Sequence, residues 1–384
     1  MLSALRRVAV PQRAFSTVLP RVTPKRATEA GPGGRSSNAG VKVAIFGASG
    51  FLGRYVCFDL GQNGVLAYLG NRGDDLEMRY IKTMFDLGRS RFVFYSTHDE
   101  ESMKEVIADA DIVINLIGKY YETKRLAQAE KFPYVRMKTN FTYEQTNVEI
   151  ARKIAELCVE MQVDNLIHVS CAAADPNSSS EWARTKYAGE MAVKEVYPWA
   201  TIIRPTQLFG VEDRLLNWFA NVAGTWPVVP LVDGGNALTQ PVWAVDVART
   251  IGRVVDDPET FEGKSIDCFG PNDYSYKELA EFVFDITEQN PTLMDIPKSS
   301  LKSIARGLQY TNRNPLITPD LVELWSEDYL PRMAPEDYKL QTDSDKILTM
   351  EDLGIEATPL EKEAFSYLYR FRTGGHFTHA EGYH

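Results

Sequence analysis

Short apolar runs alternate with longer stretches of helical periodicity from about Val41 onwards. Runs rich in valine and isoleucine predict buried strands at residues 41–46, 65–69, 92–96, 111–118, 165–170 and 200–205. Apolar positions recur at helical spacing in the segments between them, most clearly at 51–64, 99–110 and 144–163. Strands and helices that alternate in this way build a parallel sheet with right-handed crossovers. The pattern therefore predicts an α/β fold with a Rossmann-type, doubly wound parallel sheet.

The pattern loosens after Pro205, where a segment rich in tryptophan and proline precedes a helical stretch at 241–255 and a strand at 264–270. We expect this part to form a smaller, substrate-like C-terminal domain, followed by an extended tail. The predicted division is a basic leader at 1–28, a flexible lead-in at 29–40, a dinucleotide-binding Rossmann domain at 41–210, the smaller domain interleaved with the sheet at 211–290, and a docking region and tail at 291–384.

The first 28 residues carry six positive charges, and no acid occurs before Glu29. An acid-free, arginine-rich start with hydroxyl residues is typical of a mitochondrial transit peptide; a disordered tail is the alternative. The stretch from Arg13 to Ser16 predicts cleavage near residues 15–16. Removal of the six charges takes the formal net charge from −10 to −16. So acidic a chain disfavours nucleic-acid binding, which needs a basic surface.

The spacing of the cysteines and the length of the apolar runs argue against a zinc protein, a disulfide-stabilised protein and a membrane-spanning protein. The four cysteines are widely spaced and form no C-x-x-C pair, which argues against a zinc site or a disulfide framework. No uninterrupted apolar run approaches the roughly 20 residues of a membrane span.

The sequence GASGFLG at residues 47–53 follows the first predicted strand and opens the first predicted helix. This is the context of a phosphate-binding turn; a purely structural turn is the alternative. Gly47 allows the tight turn, Gly50 allows close approach of a pyrophosphate, and Gly53 allows close packing of helix and strand. The start of the helix offers unpaired N–H groups to the phosphates. We therefore predict a dinucleotide site here, which also includes Ser49, Phe51 and Leu52.

The residues that choose the cofactor are expected at the end of the second strand, about 20 residues further on. Asn71 and Arg72 stand there instead of an acid, and an arginine favours the 2′-phosphate of NADP(H). Asp74 or Asp75 keeps NAD(H) open as the alternative. The predicted cofactor is NADPH.

Asn115 and Gly118 end the fourth predicted strand beside the same crevice. We expect them to line the adenosine side of the nucleotide. For Asn115, a turn at the strand end is an equally good interpretation.

Several stretches of the chain match a known family. They are GASGFLG, NLIG at 115–118, ETK at 122–124, RTKYAGE at 184–190, LFGVEDRLLNWFA at 208–220 and EDLGIEATPLE at 351–361. On these stretches the chain resembles the extended or atypical branch of the short-chain dehydrogenase/reductase superfamily. More narrowly, it resembles the nucleotide-binding accessory subunits of mitochondrial respiratory complex I, NADH:ubiquinone oxidoreductase. The segments at 208–220 and 351–361 are the more specific ones.

The resemblance implies a subunit that holds NADPH tightly and has no established turnover. It implies a position on the matrix side of the mitochondrial inner membrane, near the junction of the two arms and in contact with other complex I subunits. It also places Pro205 and Thr206, after the sixth strand, beside the nicotinamide amide.

In active enzymes of the superfamily a serine, a tyrosine and a lysine carry the chemistry. Ser170 and Lys186 match the serine and the lysine, but Trp182 stands four residues before Lys186, where the tyrosine belongs. Reduction of a carbonyl needs a proton donor, and an indole N–H does not ionise usefully. We therefore predict a non-catalytic subunit in which Lys186 binds the nicotinamide ribose.

Other interpretations remain open at this point. Lys186 would otherwise be a surface lysine, and Ser170 a hydroxyl that caps a strand end. The alternative functions are an NADP-dependent matrix reductase and an RNA-binding member of the superfamily.

A stretch near the C-terminus, residues 297–315, has amphipathic character. Leu301, Ile304, Ala305 and Leu308 share a helical face there, with basic residues nearby. We expect contact with a membrane surface or an acidic partner, with an ordinary docked helix as the alternative.

Overall fold

The computed structural model describes residues 39–73, 75–128, 135–311, 315, 317–331 and 347–372. The predicted leader at 1–28 and nearly all of the lead-in lie outside the described residues, as does Asp74. Within the described part of the chain, none of the helices is long and apolar enough to cross a membrane. The four cysteines are buried, and none of them is in a disulfide bond.

Eight parallel strands form the main sheet, and those near the N-terminus coincide with the predicted ones to within a few residues. In chain order they are β1 (Lys42–Phe46), β2 (Leu66–Asn71), β3 (Ser90–Phe94), β4 (Ile112–Asn115), β7 (Asn165–Val169), β8 (Thr201–Pro205), β13 (Ser265–Cys268) and β16 (Leu348–Thr349). Their order across the sheet is β16-β13-β8-β7-β4-β1-β2-β3. The order reverses at β1, which places the crevice at the carboxyl ends of β1 and β4.

The remaining strands form four two-stranded pairs. They are β5 (Thr123–Gln128) with β6 (Val135–Phe141), β9 (Leu208–Phe209) with β12 (Val242–Trp243), β10 (Val228–Val232) with β15 (Thr292–Ile296), and β11 (Leu238–Thr239) with β14 (Tyr274–Ser275). The helices are α1 (Phe51–Gln62), α2 (Asp75–Lys82), α3 (Glu100–Ile107), α4 (Ile150–Glu160), α5 (Glu181–Val196), α6 (Leu216–Thr225), α7 (Ala244–Asp256), α8 (Pro258–Phe261), α9 (Tyr276–Thr287), α10 (Lys298–Thr311), α11 (Pro319–Ser326) and α12 (Leu360–Leu368).

Both faces of the main sheet are covered by helices. Val43 and Ile45 of β1 enter one core, together with residues of α1 and α7. The alternate residues Ala44 and Phe46 enter the opposite core, against α3, α4 and α5. Because side chains alternate across a strand, an unbroken apolar run such as 43–46 requires both faces to be covered. The predicted doubly wound α/β fold is confirmed.

A separate C-terminal core lies beyond the sheet. It joins residues of α6, α9, α10, α11 and α12, including Phe219, Trp325 and Leu368. Part of the segment predicted as a docking region and tail is thus integrated into the fold. Leu348 and Thr349 pair with β13 as an edge strand of the main sheet, and Leu353 is buried in the same core as Val43.

The helix predicted at 144–163 begins with one π-helical turn, Gln145–Glu149, before α4. Asn147 of this turn is buried, and its Nδ2 donates a hydrogen bond of 3.0 Å to Thr185 Oγ1 on α5. A Cβ on Gly189 would lie 2.2 Å from the Asn147 carbonyl oxygen, so only glycine allows this contact. The turn thereby fixes α5, which carries Lys186.

Candidate functional site

The glycine-rich turn has the conformation that its sequence predicts. Gly47 has φ of 87°, and its carbonyl accepts a 3.0 Å hydrogen bond from Gly50 N. A Cβ on Gly53 would lie 2.4 Å from the Gly47 carbonyl oxygen. The helix α1 begins at the next residue after Gly50, with no side-chain cap and no acid in its first turn. Its first N–H groups are therefore placed to bind a phosphate.

The three other residues predicted in this turn have different surroundings. Ser49 is exposed beside the turn, Phe51 is half-buried, and Leu52 is buried in the core beneath α1. Leu52 thus contributes packing, whereas Ser49 borders the crevice.

At the end of β2, Asn71 is buried and Arg72 is exposed. The Asn71 Oδ1 accepts a 2.9 Å hydrogen bond from Gly73 N, and its carbonyl accepts one of 2.9 Å from Tyr95 N. Asn71 therefore shapes the turn that presents Arg72.

Asn115 at the end of β4 is fully buried. Its Oδ1 accepts a 3.0 Å hydrogen bond from Ile117 N, and its Nδ2 lies 3.1 Å from Nδ1 of His168. Burial, together with the smaller effect of the Lys186 charge, lowers the pKa of His168 to about 3. His168 is thus neutral and accepts the amide proton of Asn115. Both polar groups of Asn115 are engaged within the protein, as the strand-end interpretation requires.

Lys186 and Gly118 meet at the carboxyl end of β4. Lys186 is only 6 % exposed, and a Cβ on Gly118 would lie 2.9 Å from its Nζ. Burial lowers the pKa of Lys186, while the nearby Glu190 carboxylate raises it. The surface-lysine interpretation is therefore wrong, because the structure buries this ammonium group beside the crevice.

Ser170 follows β7, and its N–H donates a 2.8 Å hydrogen bond to the Ile203 carbonyl. The side chain is buried, and its Oγ has no hydrogen-bond partner among the described residues. An unpaired buried hydroxyl is unfavourable by roughly 1–3 kcal/mol. A nucleotide group in the crevice would supply the missing partner.

Pro205 and Thr206 are buried at the carboxyl end of β8. The Pro205 carbonyl accepts a 2.9 Å hydrogen bond from Ala172 N. Thr206 donates its N–H to the Cys268 carbonyl and its hydroxyl to the Gln240 carbonyl. Both donors of Thr206 are therefore engaged in holding neighbouring loops.

Trp182 lies in a buried cluster rich in aromatic residues, one helical turn before Lys186 on α5. It is 3 % exposed and stacks on Tyr120, with ring centroids 4.9 Å apart. Its Nε1 has no hydrogen-bond partner among the described residues. Tyr143 and Tyr329 belong to the same cluster, and burial raises the pKa of both phenols. These tyrosines, which the motif search missed, are weaker acids than an ordinary tyrosine.

A buried ion pair one helical turn beyond Lys186 also escaped the sequence analysis. Arg204 of β8 donates to both carboxylate oxygens of Glu190, at 3.1 Å from Nε to each oxygen and 2.8 Å from Nη2 to Oε2. Both residues are less than 5 % exposed. The only local signal is the spacing of four residues between Lys186 and Glu190, which puts both on one helix face.

Known proteins share this sequence and this fold. A family model described as the NAD dependent epimerase/dehydratase family matches residues 43–268. The mitochondrial NADH dehydrogenase [ubiquinone] 1 alpha subcomplex subunit 9 of Mus musculus is 35 % identical, over 89 % of this chain and 84 % of the relative. The protein of the same name from Arabidopsis thaliana is 33 % identical, over 90 % of this chain and 81 % of the relative.

Among solved structures, the dTDP-glucose 4,6-dehydratase DesIV of Streptomyces venezuelae, with NAD bound, has a TM-score of 0.61 at 14 % identity. The match covers 86 % of this chain and 96 % of that one. At this identity the likeness shows the fold alone. The resemblance on the sequence motifs is confirmed by the relatives: the chain belongs to the NAD dependent epimerase/dehydratase family and, within it, to the family of NADH dehydrogenase [ubiquinone] 1 alpha subcomplex subunit 9.

Proposed function

We propose that the protein is an accessory subunit of mitochondrial NADH:ubiquinone oxidoreductase that holds NADPH and has no catalysis of its own. The observation that carries this proposal is the relationship to subunit 9 proteins over about nine tenths of the chain. The two specific motifs at 208–220 and 351–361 each pack against other parts of the same fold. Thr358 N donates a 2.8 Å hydrogen bond to the buried Asp246 of α7, and Phe219 lies in the C-terminal core.

Nucleotide binding is supported by the residues at the crevice. The turn at 47–53 leaves room for a pyrophosphate at the start of α1, because Gly50 carries no side chain there. The buried Lys186 ammonium and the unpaired Ser170 hydroxyl fit the ribose hydroxyls of a dinucleotide. Arg72, exposed at the end of β2, favours a 2′-phosphate and hence NADPH over NADH.

The absence of turnover follows from Trp182. NADPH supplies a hydride donor when it is bound, but the product alkoxide would need a proton from this chain. Trp182 stands at the donor position and is packed against Tyr120. The alternative, an NADP-dependent matrix reductase, would require a different acid in the aromatic cluster.

For the location we propose the matrix side of the inner membrane, with other complex I subunits as partners. Among the described residues of 297–315, contact with a membrane surface would rest on part of α10 (Lys298–Thr311). Leu301 and Ala305 are buried in the C-terminal core, whereas Ile304 and Leu308 are exposed. The four apolar residues therefore do not form one free face.

The lysines of α10 are already paired. Lys298 and Lys302 both bind the carboxylate of Glu323 on α11. Among the described residues of this segment, Arg306 is exposed beside Ile304 and is the basic residue that remains for an anionic lipid headgroup.

The proposal is tested on mitochondria solubilised in mild detergent. We expect the protein to migrate with a complex of very high mass on a native gel, and mass analysis of the nucleotide released from it to find NADPH or NADP. Recovery chiefly as a free monomer would contradict the assignment to a complex. Oxidation of NADPH by a ketone or quinone at about 1 s⁻¹ or faster would favour the reductase alternative instead.

A further inference from the structure

The loop at residues 210–214, which joins β9 to α6, packs directly on the first turn of α1. A Cβ on Gly210 would lie 3.1 Å from the Phe51 ring and 2.9 Å from the Tyr55 hydroxyl oxygen. Val211 N donates a 3.0 Å hydrogen bond to the same hydroxyl. Phe51 is the first residue of α1, and its ring meets that of Tyr55 edge-on, with centroids 5.5 Å apart. The 210–214 loop therefore contacts the helix start whose N–H groups are placed to bind a phosphate.

An ion pair also joins the loop to α1, at the surface. Arg54 Nη1 lies 2.6 Å from Glu212 Oε1, and the two side chains are 35 % and 46 % exposed. Exposed ion pairs contribute little to stability. The contact that fixes the loop on α1 is therefore the packing of Gly210 against the two aromatic rings.

The buried Asp213 connects this packing to the C-terminal helix α12. Its Oδ2 accepts a 2.8 Å hydrogen bond from the Tyr367 hydroxyl of α12 and one of 3.3 Å from Gly210 N. Its Oδ1 accepts a 2.8 Å hydrogen bond from Asn217 N. A single carboxylate oxygen thus joins α12 to the glycine that packs against Phe51.

The donors around Asp213 are required because the carboxylate is out of water. Asp213 is 5 % exposed, and burial raises its pKa to about 6, an effect that its hydrogen bonds oppose. A buried carboxylate is stable only when donors surround it. Without the Tyr367 hydroxyl, we expect the carboxylate to turn towards its remaining donors and to displace the Gly210 backbone that is bonded to it.

The turn after α12 holds the loop from the same side. Arg370 Nη2 donates to the Val211 carbonyl at 2.8 Å and to Asn217 Oδ1 at 2.9 Å. The helix α12 is itself anchored in the C-terminal core by Ala364 and Leu368. The path from this core to the start of α1 therefore consists of direct contacts, first from α12 to the loop and then from the loop to α1.

We propose that the 210–214 loop couples nucleotide binding to the C-terminal core: Tyr367, through Asp213 and Gly210, positions the start of α1, and bound NADPH in turn holds α12 in place. Such coupling is reciprocal, so the factor by which α12 strengthens nucleotide binding is also the factor by which the nucleotide stabilises α12. The inference rests on the proposed nucleotide binding and gives NADPH a task that needs no hydride transfer. Loss of the nucleotide would loosen the core that α10, α11 and α12 share.

The first test is calorimetric titration of the purified full-length chain with NADPH. Tyr367→Phe removes the hydroxyl bonded to Asp213 and keeps the ring. We expect this variant to bind NADPH about 3- to 10-fold more weakly, which is the effect of one lost hydrogen bond. Tyr274→Phe is the matched control, because the Tyr274 hydroxyl bonds Glu361 at the other end of α12. The control should leave the affinity unchanged.

The reciprocal effect is tested by hydrogen exchange of the backbone amides at residues 360–371. Saturating NADPH should slow their exchange in the wild type about 3- to 10-fold, the same factor as the loss of affinity. This protection should disappear in Tyr367→Phe and persist in Tyr274→Phe.

The contact between the loop and α1 is tested with Gly210→Ala. The added Cβ would press on the Phe51 ring, and we expect NADPH binding to weaken at least about 3-fold because the start of α1 must shift. Gly224→Ala on α6 is the control, since its Cβ would meet only the Gln289 amide, at an ordinary distance of 3.5 Å. That variant should bind NADPH like the wild type.

Three results would overturn the inference and leave the proposed function intact. They are unchanged affinity in both Tyr367→Phe and Gly210→Ala, equal losses of affinity in Tyr367→Phe and Tyr274→Phe, and exchange at 360–371 that saturating NADPH does not slow in the wild type. A wild-type chain that binds no NADPH would instead contradict the proposed function, and the inference with it.

Discussion

Replacement of Gly53 by alanine tests whether the close contact between α1 and the phosphate-binding turn is required. The added Cβ would lie 2.4 Å from the Gly47 carbonyl oxygen and 2.7 Å from the Ala48 carbonyl oxygen. Both neighbours are backbone atoms of the turn itself, so neither can rotate away as a flexible side chain would. The helix must therefore shift away from the turn.

The size of the effect follows from two opposing terms. Overpacking typically destabilises a protein by 1–3 kcal/mol, whereas alanine is a better helix former than glycine by roughly 1 kcal/mol. Because the contacts of the added Cβ are so short, we expect overpacking to outweigh helix propensity, so that Gly53→Ala lowers the free energy of unfolding by about 1–2 kcal/mol. NADPH binding should weaken at least about tenfold, because the N–H groups of the first turn move with the helix.

The assay is urea unfolding of the wild type and of Gly53→Ala, followed by calorimetric titration of each with NADPH. Gly307→Ala on α10 is the control, since nothing lies within 4 Å of the added Cβ and the position is exposed. That variant should gain about 0.5–1 kcal/mol of stability from helix propensity alone. A Gly53→Ala protein as stable as the wild type, with unchanged affinity for NADPH, would refute the argument from close packing.

Two further predictions concern charge. Arg72→Glu should reverse the preference for NADPH over NADH, since a carboxylate would repel the 2′-phosphate; equal affinities of the wild type for both nucleotides would refute the role of Arg72. His168 has a folded-state pKa of about 3, so the unfolded chain binds the extra proton first as pH falls below about 6.5. His168 thus contributes stability that is complete above that pH and is lost towards pH 3, by at most about 1.4 kcal/mol per pH unit. His168→Gln keeps an acceptor for Asn115 and should remove this part of the dependence of stability on pH. If the urea midpoint shifted by the same amount between pH 7 and pH 5 in the wild type and in the variant, the buried neutral histidine would be contradicted.

The strands and the phosphate-binding turn were predictable because their signals are local. The apolar run at 43–46 can be satisfied only by a strand covered on both faces, and the structure distributes its residues over two cores. Gly47 and Gly53 lie within seven residues of each other, and their spacing after a strand already implies the turn that the structure contains. Lys186 was singled out by its match to the lysine of the superfamily motif, four residues after Trp182.

The hydrogen-bond partners of several site residues, and the last strand of the sheet, depend on contacts between distant segments. Asn115 is engaged by His168, 53 residues away, and the Thr206 hydroxyl by the Gln240 carbonyl, 34 residues away. No local pattern encodes these partners, because a side chain bonds whatever group the packing of the sheet brings to it. The joining of β16 to β13 has the same cause, since two residues are too few to carry a periodic signal.

The loop at 210–214 shows most clearly the difference between what the sequence predicts and what tertiary packing decides. Its sequence marked it as specific to the family, but nothing in that sequence reveals that Tyr367 holds it or that Gly210 packs against the Phe51 ring. Residue types and local conformation follow from the chain itself through propensity and periodicity. Which distant groups meet follows only from tertiary packing, because hydrogen bonds and packing contacts depend on distances in space and not on separation along the chain.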